Sequence, residues 1–382
     1  MSRDPALLDE CRALQKAIAH YPTLAELRAS REWPDLERRF RALFERLFRY
    51  VPDTPPSSRP TGSPVRAVQW NIEHGNWYEP LERALTQQPD LRDTDLLFFN
   101  EIDLGMARAA NRDVTGDLAK TLNRYAVWAP LFLETTSGRD DDPIAAAGRE
   151  NQESLFGLAI LSRWPIGKVR VVDFPSPERM QFELERMVGR HVALIAEIER
   201  PGAPFVAVSA HLEVHRTRLE REHQMRAALD ALRDERRPII FAGDWNTHTF
   251  DRGLWHSPLT GAGALLFWPG PMLRHRLRHP DRGPFHEPLF DRLREAGFTW
   301  ETFVDFEPTL QVRFDRIDEA RIVTQALGPL IRPLLDWAER RGALRLDWFA
   351  ARGWKGGRGH TVHGLDGPGK ASDHAPIVAE FE

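Results

Sequence analysis

The sequence predicts an α/β fold in which β-sheets face each other and helices lie outside them. Nine short apolar segments after residue 64 have the length and composition of strands. Segments with apolar residues at helical spacing lie between several of them, and such a mixture is typical of packed sheets flanked by helices. The strands are predicted at Val65–Trp70, Leu96–Phe99, Tyr125–Leu133, Leu155–Leu161, Val169–Phe174, His191–Ile198, Phe205–Ser209, Pro238–Ala242 and Pro376–Phe381.

The helices of the main domain are predicted from the same spacing. Pro329 and Pro333 are expected to break or kink the last of them, because proline cannot donate a backbone hydrogen bond inside a helix. The helices are predicted at Pro80–Gln88, Val114–Leu122, Arg216–Arg233, Glu287–Ala296 and Ile322–Arg341.

The N-terminal region differs from the rest of the chain. Residues 1–51 are predicted to be a helical extension, because apolar residues recur at helical spacing from Leu7 to Ile18 and from Leu36 to Leu47. Residues 52–64 are rich in proline and serine and are predicted to be a linker. Residues 65–382 are then one domain with an insertion at about 250–343. The sequence leaves open whether the extension packs on this domain or binds a partner.

Composition narrows the class of protein. Cys11 is the only cysteine, which excludes an internal disulfide framework and a cysteine-ligated zinc site and favours a cytoplasmic setting. No apolar run reaches the length of a membrane span, so no stable membrane insertion is expected. The net charge of −4 argues against an undirected binder of polyanions.

Polar side chains follow the predicted strands at their carboxyl ends, where a sheet can direct them into one cleft. Each piece alone is typical of a turn or a polar loop. Their number and order indicate a site. The residues are Asn71, Glu101, His211, Asp244, Asn246, Asp347, Asp373 and His374.

These motifs resemble the endonuclease/exonuclease/phosphatase superfamily, which has the deoxyribonuclease I-like fold. The resemblance spans about residues 65 to 382 and implies a four-layer αββα sandwich of two mixed sheets. Asn100 departs from the family pattern, in which glutamine usually precedes the metal-binding glutamate. The matching stretches are Gln69–Ile72, Asn100–Asp103, Gly157–Pro165, Ala210–Leu212, Gly243–Asn246, Arg345–Asp347 and Ser372–His374.

The resemblance implies Mg²⁺-dependent hydrolysis of a phosphoester, with Mn²⁺ as a substitute. Glu101, assisted by Asn71, would hold the ion through oxygen ligands, with Asp373 as a further ligand or outer partner.

It also implies the catalytic residues. His374, oriented by Asp347, is the preferred base for the attacking water, and Asp244 is its rival. Asp244 and Asn246 would lie across the scissile phosphate. His211 would stabilise the phosphate or protonate the leaving oxygen.

Two assignments depend on weaker signals. Glu153 is a candidate to orient His211, although its spacing does not require this role. Asp347 is preferred to Asp318 because apolar residues continue after it as in a strand, and because it lies 26 rather than 55 residues before Asp373.

The substrate stays open among nucleic acids, phospholipids and inositol phosphates. A histidine at position 211 resembles the deoxyribonuclease I, sphingomyelinase, inositol-phosphatase and deadenylase branches and disfavours abasic-site repair. Arg352, Lys355 and Arg358 are candidate contacts to the substrate phosphate. The insertion could shape recognition or be peripheral. Protein partners are not indicated. An inactive binding protein is the alternative from another class, and it is disfavoured because no site residue is missing.

Overall fold

The computed structural model describes residues 4–60, 62–139, 141–175, 182, 186–252, 257–313, 332–367 and 369–382. The helices are α1 (Pro5–Ile18), α2 (Leu24–Ala29), α3 (Trp33–Phe44), α4 (Tyr78–Gln87), α5 (Val114–Leu122), α6 (Asp142–Ala146), α7 (Arg218–Ala231), α8 (Ser257–Phe267), α9 (Gly270–Arg278) and α10 (Leu289–Glu295). Residues 332–339 are also helical.

The strands form two large mixed sheets and a small one. They are β1 (Phe48–Tyr50), β2 (Val65–His74), β3 (Leu96–Leu104), β4 (Tyr125–Glu134), β5 (Leu155–Ser162), β6 (Ile166–Asp173), β7 (Met187–Gly189), β8 (Val192–Ile198), β9 (Phe205–His211), β10 (Ile239–Asp244), β11 (Leu310–Gln311), β12 (Ala343–Leu344), β13 (Asp347–Arg352), β14 (Gly357–Thr361) and β15 (Ile377–Phe381). All nine predicted strands are present. Of the predicted helix Ile322–Arg341, residues 322–331 lie outside the described residues, as does Asp318.

The first sheet has the order β1-β4-β5-β3-β2-β15-β14, with β7 also paired to β4. The second sheet has the order β13-β10-β9-β8-β6. Each contains one parallel pair, β2 with β3 and β9 with β10. The two strands of a parallel pair run in the same direction, so the side chains at their carboxyl ends lie at the same edge of the sheet.

Three apolar cores lie between the layers of the structure. The core between the sheets includes Phe98 of the first sheet and Phe349 of the second, whose rings lie edge to face. A second core packs α4 and α5 on the outer face of the first sheet, and a third packs α7 and α10 on the second. The predicted four-layer αββα sandwich is confirmed.

The N-terminal helices pack on the first sheet. Their apolar faces, including the buried Cys11, Leu14 and Leu27, belong to the same core as strands β2 to β5. β1 follows α3 and pairs antiparallel with β4, so this region also supplies an edge strand.

The stretch between β10 and β13 carries a small core of its own. Leu265 of α8, Leu273 of α9 and Leu335 of the helix at 332–339 pack together with Leu344 of β12. β12 pairs with β11 in the third sheet. None of the described helices has the length and apolar character that crossing a membrane requires.

Candidate active site

Polar side chains from both large sheets meet at one end of the sandwich. In the first sheet, Asn71 of β2 pairs with Asn100 of β3, which brings Glu101 to the same edge. In the second sheet, Asp244 of β10 pairs with His211 of β9 on one side and with Asp347 of β13 on the other. Parallel pairing of β2 with β3 and of β9 with β10, together with antiparallel pairing of β10 with β13, thus brings residues distant in sequence together here.

Asp244 lies at the centre of the cluster. One of its carboxylate oxygens, Oδ2, accepts a hydrogen bond of 3.1 Å from Nδ2 of Asn71. The same oxygen lies 3.6 Å from Nε2 of His211 and 3.8 Å from Nε2 of His374. Its other oxygen accepts from the backbone N–H of Asn246 at 3.0 Å. Groups from both sheets therefore surround a single buried carboxylate.

Asp347 and His374 form a buried pair. Nδ1 of His374 lies 2.8 Å from Oδ2 of Asp347, which fixes the proton of the ring on that side. Burial alone would lower the pKa of His374, but the charge and hydrogen bond of Asp347, with the charge of Asp244, raise it well above its usual value. Asp347 therefore favours the protonated form of the His374 ring.

The pKa of Asp244 moves in the direction expected of a crowded carboxylate. Burial raises it first, and the negative charge of Asp347 raises it further, against the opposing charges of His374 and His211. The site thus holds more negative charge than its own cations compensate.

Glu101 lies beside Asp244 on a distorted part of β3. Its Oε1 accepts a hydrogen bond of 3.0 Å from Asn71 and lies 3.8 Å from Nε2 of His211. Its backbone has a φ of 51°, at a register shift between Phe99 and Ile102. Such left-handed backbone is costly for a residue with a side chain and is found where function requires a particular direction. The bulge directs the Glu101 carboxylate towards the cluster.

Asn100, the departure from the family pattern, braces the site from beneath. Its Oδ1 accepts from Nε2 of Gln69 at 2.6 Å and from the backbone N–H of Asp244 at 2.7 Å. It therefore links the two sheets directly behind the central carboxylate.

His211 is neutral in this environment. Burial, with the neighbouring charges of His191 and His374 and against that of Asp244, lowers the pKa of His211 to about 4. A neutral imidazole can donate or accept one hydrogen bond on each side, but it carries no proton to release as an acid at neutral pH.

Two groupings of side chains could hold a cation. Asp244, Asp347 and His374 have ligand atoms within 4.8 Å of one another. Asp347 and His374 already satisfy each other in this grouping. Glu101 and Asp244, by contrast, both face one amide nitrogen of Asn71, so negative charge from oxygen atoms is concentrated between them. Hard oxygen donors are the ligands that Mg²⁺ prefers, and the oxygen-rich grouping fits it better.

Two further predicted residues occupy defined places. Asp373 directly precedes His374, accepts a hydrogen bond of 3.4 Å from Ser372, and contributes to the raised pKa of His374. Glu153 is buried beside Gly105, where a Cβ on the glycine would lie 1.9 Å from its carboxylate. Its charge also raises the pKa of Cys11, after the larger effect of burial.

The three cations predicted to contact the substrate are not brought to the cluster. Arg352 pairs with Ile239 at the far end of the β10–β13 ladder and donates to backbone carbonyls of Ala296, Leu232 and Glu235. Five residue steps along a strand separate it from Asp347 by roughly 16 Å.

Arg358 and Lys355 lie at the corresponding far end of the first sheet. Arg358 forms an ion pair with Glu380, and the backbone N–H of Lys355 donates to Glu382. Arg352 thus lies at the far end of β13, and Arg358 and Lys355 lie at or next to the far end of the β14–β15 hairpin, away from His374.

Two of the tryptophans beside the motifs, Trp70 and Trp245, belong to the core. Trp70 and Trp245 are fully buried, and Nε1 of Trp70 donates to the backbone carbonyl of His374. Neither can stack on a base of a substrate.

Two residues at the site are not among the predicted ones. His74 lies 3.4 Å from Oε2 of Glu101 through its Nε2, and its position two residues after the Gln69–Ile72 stretch was a usable signal. Thr309, within the insertion, accepts hydrogen bonds from the backbone N–H groups of Leu346 and Asp347, and its carbonyl accepts from Ala375. No local pattern marks Thr309.

Comparisons with known proteins identify what the chain is similar to. The sequence model of the endonuclease/exonuclease/phosphatase family matches residues 68–374. A search of the curated proteins found no match. Among solved structures, an endonuclease/exonuclease/phosphatase from Beutenbergia cavernae DSM 12333 is 18% identical with a TM-score of 0.49, covering 84% of this chain and 72% of the other.

Two further solved structures are similar. The 3′ phosphatase NExo from Neisseria, bound to a product DNA hairpin, is 16% identical with a TM-score of 0.47, covering 83% of this chain and 99% of the other. The human Nocturnin catalytic domain, with a bound sulfate anion, is 14% identical with a TM-score of 0.47, covering 85% and 99%.

Proposed function

The chain belongs to the endonuclease/exonuclease/phosphatase family, and from this premise we propose that it hydrolyses a phosphoester bond with a divalent cation, Mg²⁺ or Mn²⁺. The observation that carries the proposal is the convergence on Oδ2 of Asp244. Donor groups of Asn71, His211 and His374 all lie within 3.8 Å of that oxygen, with Glu101 beside it. A buried set of carboxylate, amide and imidazole groups is suited to holding a phosphoester and activating water.

We assign the cation to the oxygen-rich side of the cluster. Glu101 would hold it, assisted by the amide oxygen of Asn71 in place of the Nδ2 that now donates to Glu101 and Asp244, with Asp373 as a ligand or outer partner. The raised pKa of Asp244 supports this assignment, because the crowded carboxylates lack positive charge. When bound, a divalent cation would polarise the phosphoryl oxygens and lower the pKa of a bound water.

Asp244 is our choice for the group that takes the proton of the attacking water. The sequence favours His374, but Asp347 raises the pKa of His374 and so favours the protonated ring, which has no lone pair to accept a proton. A buried carboxylate with a raised pKa is suited to accept one. His374 would then donate to a phosphoryl oxygen and stabilise negative charge there.

His211 and Asn246 would position the ester. The lowered pKa of His211 favours a neutral ring that donates a hydrogen bond to a phosphoryl oxygen, rather than an acid that protonates the leaving group. Nδ2 of Asn246 donates to the backbone carbonyl of Leu212 at 2.8 Å, which fixes the orientation of its amide.

Hydrolysis of bis-p-nitrophenyl phosphate tests the proposal against that of an inactive binding protein. We expect turnover that requires Mg²⁺ or Mn²⁺, stops with EDTA, and falls about 10²- to 10⁴-fold in Asp244→Asn. His223→Ala, at an exposed position on α7, is the matched control and should retain full activity. Turnover that survives both EDTA and Asp244→Asn would overturn the mechanism. Absence of turnover with every divalent metal and every substrate of the panel below would favour the inactive protein.

The natural substrate class requires a separate panel. Single- and double-stranded DNA, RNA, sphingomyelin and inositol phosphates should each be incubated with Mg²⁺ and with Mn²⁺. We place nucleic acid first. Turnover of only the lipid or inositol compounds would replace the nuclease assignment with the lipid or inositol phosphoesterase alternative.

A further inference from the structure

His74 lies between two carboxylates at the mouth of the candidate active site. Its Nε2 is 3.4 Å from Oε2 of Glu101, and its Nδ1 is 3.5 Å from Oδ1 of Asp103. Glu101 is thus approached from two sides, because Asn71 donates to its other oxygen, Oε1. None of the roles assigned above uses His74.

The backbone of β2 bends to bring His74 to this place. The ladder between β2 and β3 shifts register between Asn71 and His74, and the φ of His74 is 66°. Left-handed backbone at a histidine is costly and persists only where surrounding contacts hold it. The ring also packs against Phe156, with the ring centroids 5.2 Å apart.

A buried ion network anchors the far side of the His74 ring. Arg108 binds both oxygens of Asp103, at 2.7 and 3.1 Å, and also lies 3.0 Å from Glu134 and 3.2 Å from Asp142. The side chains of Asp103, Arg108 and Glu134 are almost completely inaccessible to solvent. A network so enclosed is rigid, because an unpaired charge inside it would be strongly unfavourable.

We propose that His74 is a positioning residue for the cation site: anchored through Asp103 and Arg108, it holds Oε2 of Glu101 so that the carboxylate presents Oε1 to the cation. This inference rests on the proposed function and assigns to that site a residue beyond its expected ligands. The two ring nitrogens of His74 face one carboxylate each, so the ring is held from the side of Asp103 while it contacts Glu101.

Titration of Mn²⁺, followed by the electron paramagnetic resonance of the free ion, measures the effect without any substrate. Loss of a group that orients a metal ligand typically weakens metal affinity about 10- to 100-fold. We expect His74→Ala to raise the Kd for Mn²⁺ by that factor. His74→Gln, which keeps an N–H donor, should recover a large part of the affinity. The Mg²⁺ concentration for half-maximal hydrolysis should rise in parallel.

Two control variants separate positioning from general stability. Glu134→Gln disturbs the same buried network at its far end without touching Glu101, and it should lower the melting temperature with little change in the Kd. His223→Ala should change neither quantity. Circular dichroism shows whether each variant is folded at the temperature of the titration.

The outcomes distinguish the inference from the proposed function. A Kd of His74→Ala within twofold of wild type, a tighter Kd, or an equal loss in Glu134→Gln would overturn the role of His74 while the proposed function stands. A wild-type protein that binds no Mn²⁺ would overturn both. If His74→Ala is unfolded, His74→Leu takes its place: leucine fills space beside Phe156 but offers no N–H, so a Kd raised at least tenfold supports the inference and a Kd within twofold of wild type overturns it.

Discussion

At the scale of single residues, the main feature of the candidate site is its concentration of buried negative charge. Asp244 and Asp347 are both fully buried, and Glu101 lies beside them. The negative charges of Asp347 and Asp244 favour the protonated form of His374, which offsets part of this charge, whereas burial and the charge of Asp347 raise the pKa of Asp244. A bound cation would offset the remainder.

The pair of Asp347 and His374 gives the first prediction. Asp347→Asn removes the charge that keeps the imidazole protonated, so the pKa of His374 should fall, and kcat should fall about 10²- to 10⁴-fold. Nuclear magnetic resonance of the histidine ring protons, titrated with pH, measures the first effect. A pKa of His374 equal to that of the wild type would contradict the assignment of the pair.

The lowered pKa of His211 gives a prediction about stability. Its folded value of about 4 lies below the usual value of about 6.5. The unfolded chain therefore binds a proton between these values that the folded protein does not, and acidification from pH 6.5 to pH 4 favours unfolding. The wild type should lose about 3 kcal/mol of unfolding free energy over this range relative to His211→Asn.

Urea unfolding of both proteins at several pH values measures this difference. Above pH 6.5 the two curves should run parallel, since His211 is then neutral in both states. Parallel curves down to pH 4 would show that His211 titrates normally.

Particular residues show what sequence could reveal about the site. Asp347 could be chosen over Asp318 because an apolar strand follows it, and its carboxylate lies 2.8 Å from His374. Asn100 lies within a recognised motif and His74 lies two residues after one, but their contacts depend on long-range pairing that sequence alone does not specify. The cation site itself stays a prediction.

At the scale of elements, the insertion reaches the active site. Thr309 precedes β11, and its hydroxyl lies 3.1 Å from the backbone nitrogen of Leu346 and 3.3 Å from that of Asp347. Leu310 forms a β-bridge with His374. One short segment of the insertion thus contacts both Asp347 and His374, so this part of the insertion is not peripheral.

Thr309 therefore gives a prediction at this scale. Thr309→Val removes the hydroxyl that accepts from two backbone N–H groups, and each buried donor left without a partner costs about 1–3 kcal/mol. We expect a lower melting temperature together with a fall in kcat, because Asp347 loses its support. Thr309→Ser keeps the hydroxyl and should restore kcat. Equal kcat values in the valine variant and the wild type would show that the segment is not needed to position the pair.

The β14–β15 hairpin explains why nearness in sequence misled the choice of substrate contacts. Arg358 precedes His374 by only 16 residues, yet it pairs with Glu380, near the far end of β15. His374 lies before β15, at the end of the hairpin where the chain turns, so the length of the hairpin separates the two residues. The separation cannot be predicted without knowing where the chain turns. Strand β14 was not predicted, because its glycines are not typical of a strand.

At the scale of the whole molecule, two sheets packed face to face explain the fold and the site together. The apolar strands predicted from sequence form the shared core, and their polar carboxyl ends meet at one edge. Short continuous runs of apolar residues predicted these strands well, because a strand that is buried on both faces is apolar along its whole length. The N-terminal helices add an apolar layer to the outer face of the first sheet, which their amphipathic pattern allowed but did not specify.

The central claim is that both sheets supply groups around one divalent cation. A crystal soaked in Mn²⁺ and measured for anomalous scattering tests it most directly. We predict a peak about 2 Å from a carboxylate oxygen of Glu101, on the side that faces Asp244, and its loss in Glu101→Gln. A fully occupied peak elsewhere, or none at saturating Mn²⁺, would contradict the account.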